Sequence, residues 1–244
     1  MLPFQSTAYY QSVDGVVKDG LLLYWSAWNP VSYPGTGSTV YDLVGTQTGS
    51  FENGTTFSTN YGGTWGFDGV NDRIFRQPVT TTITQTFSIS CWVRTTDTSD
   101  TSQRFVLSFG LDNTPAGEGG LFLFAYYFSS IASKAFFIEM GSGKGRVTST
   151  IVPVVNQWYH LTATADGTNT RFYIDGNLIG SASMGNGRVA PNPSLSVGSF
   201  VNGSGTPLAY WHKGDIGSVT VYTKTLSDQE VRINFDAGRS RYGV

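Results

Sequence analysis

Few side chains in this 244-residue chain have the type and spacing that covalent chemistry needs. Its two histidines, His160 and His212, and its one cysteine, Cys91, are too few and too far apart for a zinc cluster or for a nucleophile with its base. His160 sits inside the run Trp158-Tyr-His-Leu-Thr162 and His212 just before Lys213-Gly214, and both read as packing rings. Cys91 belongs to the alternation Phe87, Ile89, Cys91, Val93 and reads as a small core residue; alone, it allows no disulfide within the chain. Retaining glycoside hydrolysis needs two carboxylates roughly 5–5.5 Å apart. The glutamates Glu52, Glu118, Glu139 and Glu230 are dispersed, and none has an acid two residues on. Glu230 is better explained by a helix cap, and Glu139, after Phe136-Phe-Ile, as an outward-facing strand residue. The expectation is no enzymatic activity and no catalytic residue, with acids meeting from separate strands as the one route left open.

Non-covalent recognition is better provided for. The chain is 14% aromatic and only 13% charged, against an average of about 25% charged residues. Aromatic faces can stack on the apolar face of a sugar while Asn, Asp and Gly groups meet its hydroxyls. Trp28, Tyr61, Tyr126, Tyr210 and Trp211 are the candidate carbohydrate-binding residues. Tyr210 and Trp211 follow the glycine loop Asn202-Gly-Ser-Gly-Thr206 and are the best placed near a rim, with core packing or subunit contact as the competing role. Trp65 alternates with Phe67 toward the core. Trp92 points away from Phe87, Ile89 and Cys91, yet a fold with covered faces buries it too. A net charge of −2 offers no basic field for nucleic acid. No window approaches the ~18 apolar residues of a membrane span, and no secretory signal is read at the start.

The elements that must position these residues are strands almost throughout. Residues 1–18 are irregular, an arm that docks on a neighbour or on the body of the fold, and residues 19–244 form one domain. Strands are expected at 104–109, 120–129, 134–140, 146–152, 157–165 and 170–174, with hairpin turns at Asp166-Gly167 and Asp175-Gly176. Pro34 and Gly35 suit the centre of a type II turn. Polar or glycine-rich loops are expected at 95–101, 111–120, 141–145, 185–193 and 202–207. The sequons Asn53-Gly-Thr55 and Asn202-Gly-Ser204 read as turns. After a last strand containing Ile216, Val219, Val221 and Tyr222, Ser227 and Glu230 form a capping box that opens a short helix. Gly238 is expected to stop that helix.

Several blocks carry a family resemblance in order and spacing. They are Gly20 to Gly37 with Tyr41-Asp-Leu-Val-Gly45, Gly66-Phe-Asp-Gly-Val-Asn-Asp72, Phe87 to Arg94, Trp158 to Thr162, Arg171 to Gly180, and the closing strand and helix from Gly214. From about Asp19 to the C-terminus they resemble the concanavalin A-like, laminin-G-like jelly rolls. The resemblance implies an all-β fold, a two-sheet antiparallel β-sandwich with one short C-terminal helix, in a family that binds carbohydrate far more often than it cuts it. Hydrolases on this fold set their acids as Glu-x-Asp-x-x-Glu on one strand, a motif this chain lacks, which disfavours a laminarinase-like enzyme.

No cofactor is expected, and calcium is left as an uncommitted alternative. Many relatives hold it, but Ser26 and Gly217 stand where they often carry Asp. Asp42, Asp68, Asp72 and Asp215 remain as oxygen ligands, with turn chemistry as their other reading. The ending Asn234-Phe-Asp-Ala-Gly-Arg-Ser-Arg-Tyr-Gly243 resembles stand-alone versions among tailed-phage virion proteins. That implies a virion structural or decorating protein, on capsid or tail, adhering to host-surface glycans. Its partners would be other virion proteins or its own copies in a homo-oligomer, with no nucleic acid and no membrane insertion. A free-standing bacterial lectin or carbohydrate-binding module is the alternative.

Overall fold

In the computed structural model the described residues are 14–244 without 82, 84, 99–103, 111–120, 129–132, 141–143, 186, 188, 190, 191 and 202–209; of 121–123, 127, 128 and 133 only the backbone is described. The loops expected at 111–120 and 202–207, Glu118, the second sequon and most of the N-terminal arm therefore lie outside the described residues.

The strands, in chain order, begin with β1 (Leu21–Ser26), β2 (Thr39–Val40), β3 (Gly49–Glu52), β4 (Thr56–Ser58), β5 (Thr64–Asp68) and β6 (Arg73–Arg76). Then come β7 (Thr86–Thr95), β8 (Arg104–Gly110), β9 (Leu121–Phe128), β10 (Ser133–Met140) and β11 (Lys144–Thr148). The last are β12 (Trp158–Asp166), β13 (Asn169–Ile174), β14 (Asn177–Ser183), β15 (Ser194–Val197) and β16 (Lys213–Tyr222), followed by helix α1 (Asp228–Tyr242). Among the described residues they make two eight-stranded antiparallel sheets. The first runs β14-β13-β12-β7-β16-β5-β4, with β1 sharing the edge of β16. The second runs β11-β10-β9-β8-β15-β6-β3-β2.

The two-residue period of a strand sends one face of each sheet inward. Phe87, Ile89, Cys91 and Val93 of β7 and Leu161 and Ala163 of β12 meet Leu107, Phe109, Phe124, Ile138 and Leu195 of the second sheet in one continuous core. Trp65 and Phe67 both lie in it. Burial raises the Cys91 thiol pKa far above its usual range, which keeps it protonated and inert. His212 is fully buried just before β16, between the rings of Phe67 and Tyr126. Asp175 and Gly176 have φ of 52° and 75°. Positive φ at both central residues is what a type I′ hairpin turn requires, and only residues tolerant of it serve there.

Helix α1 lies on the outer face of the first sheet. Ser227 Oγ accepts from the Glu230 amide (3.3 Å) and Glu230 Oε2 accepts from the Ser227 amide (2.9 Å), the expected capping box. The helix does not stop at Gly238, however. It continues to Tyr242 and is capped by Gly243, whose φ of 73° is left-handed and whose amide donates to the Arg239 carbonyl. Gly238 has another role: a Cβ there would overlap the Trp92 indole. Its absence lets the helix settle onto Trp92, which Tyr242 and Phe235 stack at 4.5 and 5.7 Å between ring centroids. His160 joins the same buried layer, 4.9 Å from Trp92.

Of the arm, residues 14–18 are described. Val17 donates its amide to Asn234 Oδ1 (2.9 Å), Asn234 Nδ2 donates to the Tyr222 hydroxyl (2.9 Å), and that hydroxyl donates to the Val17 carbonyl (3.1 Å). This closed ring ties arm, helix and last strand together where all three are buried.

Replacing an interior helical glycine by alanine ordinarily stabilises by about 1 kcal/mol. Gly238→Ala should do the opposite, losing about 1–3 kcal/mol through overpacking against Trp92; a gain in urea-unfolding midpoint would refute the seating of the helix. Burial also lowers the His160 and His212 pKa values to about 3. The unfolded chain takes up these protons near pH ~6.5, so between those values it binds more protons than the folded chain. Stability must then fall as pH drops through that window, by up to about 1.4 kcal/mol per pH unit for each ring. His212→Phe should remove one ring's share of that slope between about pH 6 and pH 4. Parallel pH profiles for the two proteins would contradict it.

Candidate functional site

Helix α1 covers only part of the first sheet's outer face, and the uncovered part forms the site. Opposite the core-facing residues, β7 presents Trp92 and Arg94, β12 presents Trp158 and His160, β16 presents Asp215, β5 presents Gly66 and β4 presents Thr56. Trp92, His160 and Trp158 lie under the helix or its last residue, Tyr242, whose ring centroid is 4.4 Å from that of Trp158. Beyond Tyr242 a groove of about 260 Å³ opens, lined chiefly by Thr56, Gly66, Asp68, Asp72, Thr96 and Asp215. Gly66 leaves the floor bare. A Cβ there would stand 2.6 Å from Thr56 Oγ1 and 3.7 Å from Asp215 Oδ1.

Arg94 links the groove to an aromatic wall. Its Nε and Nη2 donate to Asp215 Oδ2 at 2.9 and 2.6 Å, and its Nη1 donates to the Tyr61 hydroxyl at 3.2 Å. The guanidinium also lies 5.2 Å from the Tyr61 ring and 5.6 Å from the Trp158 ring, within cation–π range. Tyr61 is 37% exposed and meets Trp158 edge-on at 5.4 Å. Its backbone has φ 57° and ψ 22°, a left-handed conformation costly for a bulky residue. The turn at Asn60–Gly62 sets the ring against Trp158 and Arg94 at that cost. Beside it Arg241 caps Trp28 at 4.0 Å.

The acids here are largely engaged. Asp72 Oδ1 accepts from the Gly54 amide (2.7 Å) and Oδ2 from the Asp68 amide (3.0 Å). Burial, then the neighbouring Asp68 charge, raises the Asp72 pKa, against the pull of those two amides. Asp68 Oδ1 accepts from the amides of Val70 (2.7 Å) and Asn71 (3.4 Å). Asp42, away from the groove, binds the amides of Tyr24, Val44 and Gln47. Among the described residues no three His, Cys, Asp or Glu side chains converge as metal ligands. Gly217, where an acid was expected to be missing, leaves the space that the Tyr242 hydroxyl occupies. Glu139 is an outer-face strand residue paired with Arg146.

Of the five aromatic candidates, the structure brings Trp28 and Tyr61 to one end of the helix. Tyr126 departs from the expectation. It is 3% exposed, packed on Phe136 and His212, with its hydroxyl 3.1 Å from Thr95 Oγ1, because its side of β9 faces the core. Tyr210 is exposed and Trp211 half-buried, but they belong to a different patch, beside Phe105 of β8. Sequence reading named Asp215 only as an oxygen ligand for calcium, and it missed Arg94, Trp158 and Tyr242 as well as the pairing of Asp215 with Arg94. Alternation around Val93, Tyr159 and Ile216 would have put Arg94, Trp158 and Asp215 on the outer face; nothing local foretold that Tyr242 closes over them.

A sequence model of the concanavalin A-like lectin/glucanases superfamily matches residues 67–232. No curated protein matches the chain in sequence. Among solved structures it is similar to domain 4 of AbnA, a GH43 extracellular arabinanase from Geobacillus stearothermophilus in complex with arabinotriose, at 16% identity and a TM-score of 0.64, covering 89% of this chain and 98% of that one. It is also similar to Trypanosoma rangeli sialidase in complex with the inhibitor DANA, at 16% identity and a TM-score of 0.64, covering 90% of this chain. The botulinum neurotoxin serotype D binding domain follows at 12% identity and a TM-score of 0.63, covering 89% of this chain. The chain spans 33% of the sialidase and 51% of the toxin domain, so these two likenesses concern the fold of one part of each.

Proposed function

The chain belongs to the concanavalin A-like lectin/glucanase superfamily, and we propose that it uses this fold as a non-catalytic glycan-binding protein on the surface of a tailed-phage virion. The half-uncovered outer face carries the reading. It joins a bare-floored groove to an exposed aromatic ring, with a carboxylate and hydroxyls between them. A sugar laid there would stack its apolar face on Tyr61 and donate hydroxyls to Asp215, Thr56 and Thr96. Hydrolysis fits less well. Both oxygens of Asp72 hold backbone amides, and Asp215 is paired with Arg94, so neither is poised to move a proton.

The virion setting rests on the resemblance of Asn234 to Gly243 to the close of stand-alone phage virion proteins. In that setting other virion proteins or further copies of this chain are the partners. One observation favours the second reading, a free-standing bacterial lectin or carbohydrate-binding module. The arabinanase domain that the chain resembles over nearly its whole length is a module of an extracellular enzyme and was solved with arabinotriose.

Binding should be measured on a glycan array, then by titration of the best ligand. Tyr61→Asn removes the ring while suiting the left-handed backbone, and it should weaken binding about tenfold. Unchanged affinity would remove Tyr61 from the site. A protein inventory of purified particles separates the two settings: presence supports the virion role, and absence leaves the free lectin.

A further inference from the structure

We propose that the groove selects neutral glycans and excludes acidic ones, an inference that rests on the glycan-binding reading above. The groove is lined by three carboxylates, Asp68, Asp72 and Asp215, and no cationic side chain lines it. Arg94 stands beside it, but two of its nitrogens are committed to Asp215 and a third to Tyr61. Counting Arg94 and Arg104, three negative charges against two positive leave the site acidic by one. Lys213 is nearby and pairs with Asp97, while Arg104 donates to the carbonyls of Gly69 and Trp211.

The backbone leads to the same conclusion. Turns with successive amides can cradle an anion. Around this groove the amides of Gly54, Asp68, Val70 and Asn71 already donate to Asp72 or Asp68. A sugar carboxylate or sulfate entering here would meet negative charge and find those amides occupied. A sugar hydroxyl would meet acceptors. Asp215 Oδ1 takes no hydrogen bond among the described residues and faces the bare floor at Gly66. Hydroxyl donation to a carboxylate is about twice as strong as a neutral hydrogen bond, so neutral polyols gain where anions lose.

The test uses the full chain on matched glycan pairs that differ only by a terminal sialic acid, uronate or sulfate. At low salt the neutral member of each pair should bind at least about fivefold more tightly, the size of one like-charge contact near a surface. The preference should shrink as ionic strength rises and the repulsion is screened. Asp68→Asn should narrow it about twofold to fivefold at low salt. Asp68 is exposed, and the Asn oxygen can still accept from Val70, so the turn should survive. Equal or tighter binding of the acidic members would overturn the selectivity while leaving glycan adhesion intact. A preference insensitive to both salt and Asp68→Asn would overturn its electrostatic origin. Binding to no glycan would overturn the adhesion reading, and the selectivity with it.

Discussion

The packing of helix α1 on Trp92 is the contact on which the rest of the architecture turns. A sandwich sheet has two faces, and the first sheet carries large rings on both. Trp92, Trp158 and His160 point away from the main core yet are nearly inaccessible. Left open, they would form an apolar patch of the kind soluble surfaces avoid. One amphipathic element must therefore cover them, and it can approach closely only if a residue at the contact has no side chain. Gly238 supplies that approach, and Tyr242 and Phe235 stack on the indole from either side of it. The segment at Val17, the helix and the last strand are then tied together by the Val17–Asn234–Tyr222 hydrogen-bond ring.

The site is what this covering leaves over. Helix α1 ends at Tyr242, against the Asn60–Gly62 turn, and the outer face divides there into a dry half and a wet half. Arg94 sits on the boundary. It faces Trp158 on the dry side and Asp215 on the wet side, and it holds the Tyr61 hydroxyl above both. An arginine suits the position because its planar fork can bond a carboxylate along an edge while stacking over rings, which a lysine cannot do. The left-handed backbone at Tyr61 follows the same logic. A bulky residue is kept in an unfavoured conformation because the surrounding contacts outweigh its cost.

The sandwich was legible in the sequence because strands write their own pattern. Alternation in 87–93 and the Asp-Gly turns are local signals, and the capping box is a three-residue spacing. Gly238 was misread for a physical reason. Glycine ends helices and also admits close neighbours, and only the presence of Trp92 across the interface distinguishes the two. Tyr126 failed likewise, since an aromatic in an apolar strand does not reveal which sheet face it lines. The site was only partly legible. Trp28 and Tyr61 could be named as candidate aromatic rings and Asp215 as an oxygen ligand, but Arg94, Trp158 and Tyr242 come from distant parts of the chain and meet them through topology alone.

The carboxylates show how the same residues can lose one function while keeping another. An acid that serves a turn is bound at its oxygens by amides that prefer it ionised, and its orientation is fixed by the backbone. Such a group is a poor proton shuttle and a poor metal ligand, because either role would strip amides that then lie buried and unpaired, at a cost of about 1–3 kcal/mol each. It still exerts its charge on whatever enters the groove. Asp72 and Asp68 thus build the rim and bias its potential in one act, with Asp215 the carboxylate whose second oxygen stays open to a ligand. Recognition by charge and shape persists where proton transfer does not, because it needs only the positions of these groups and not their freedom to change protonation.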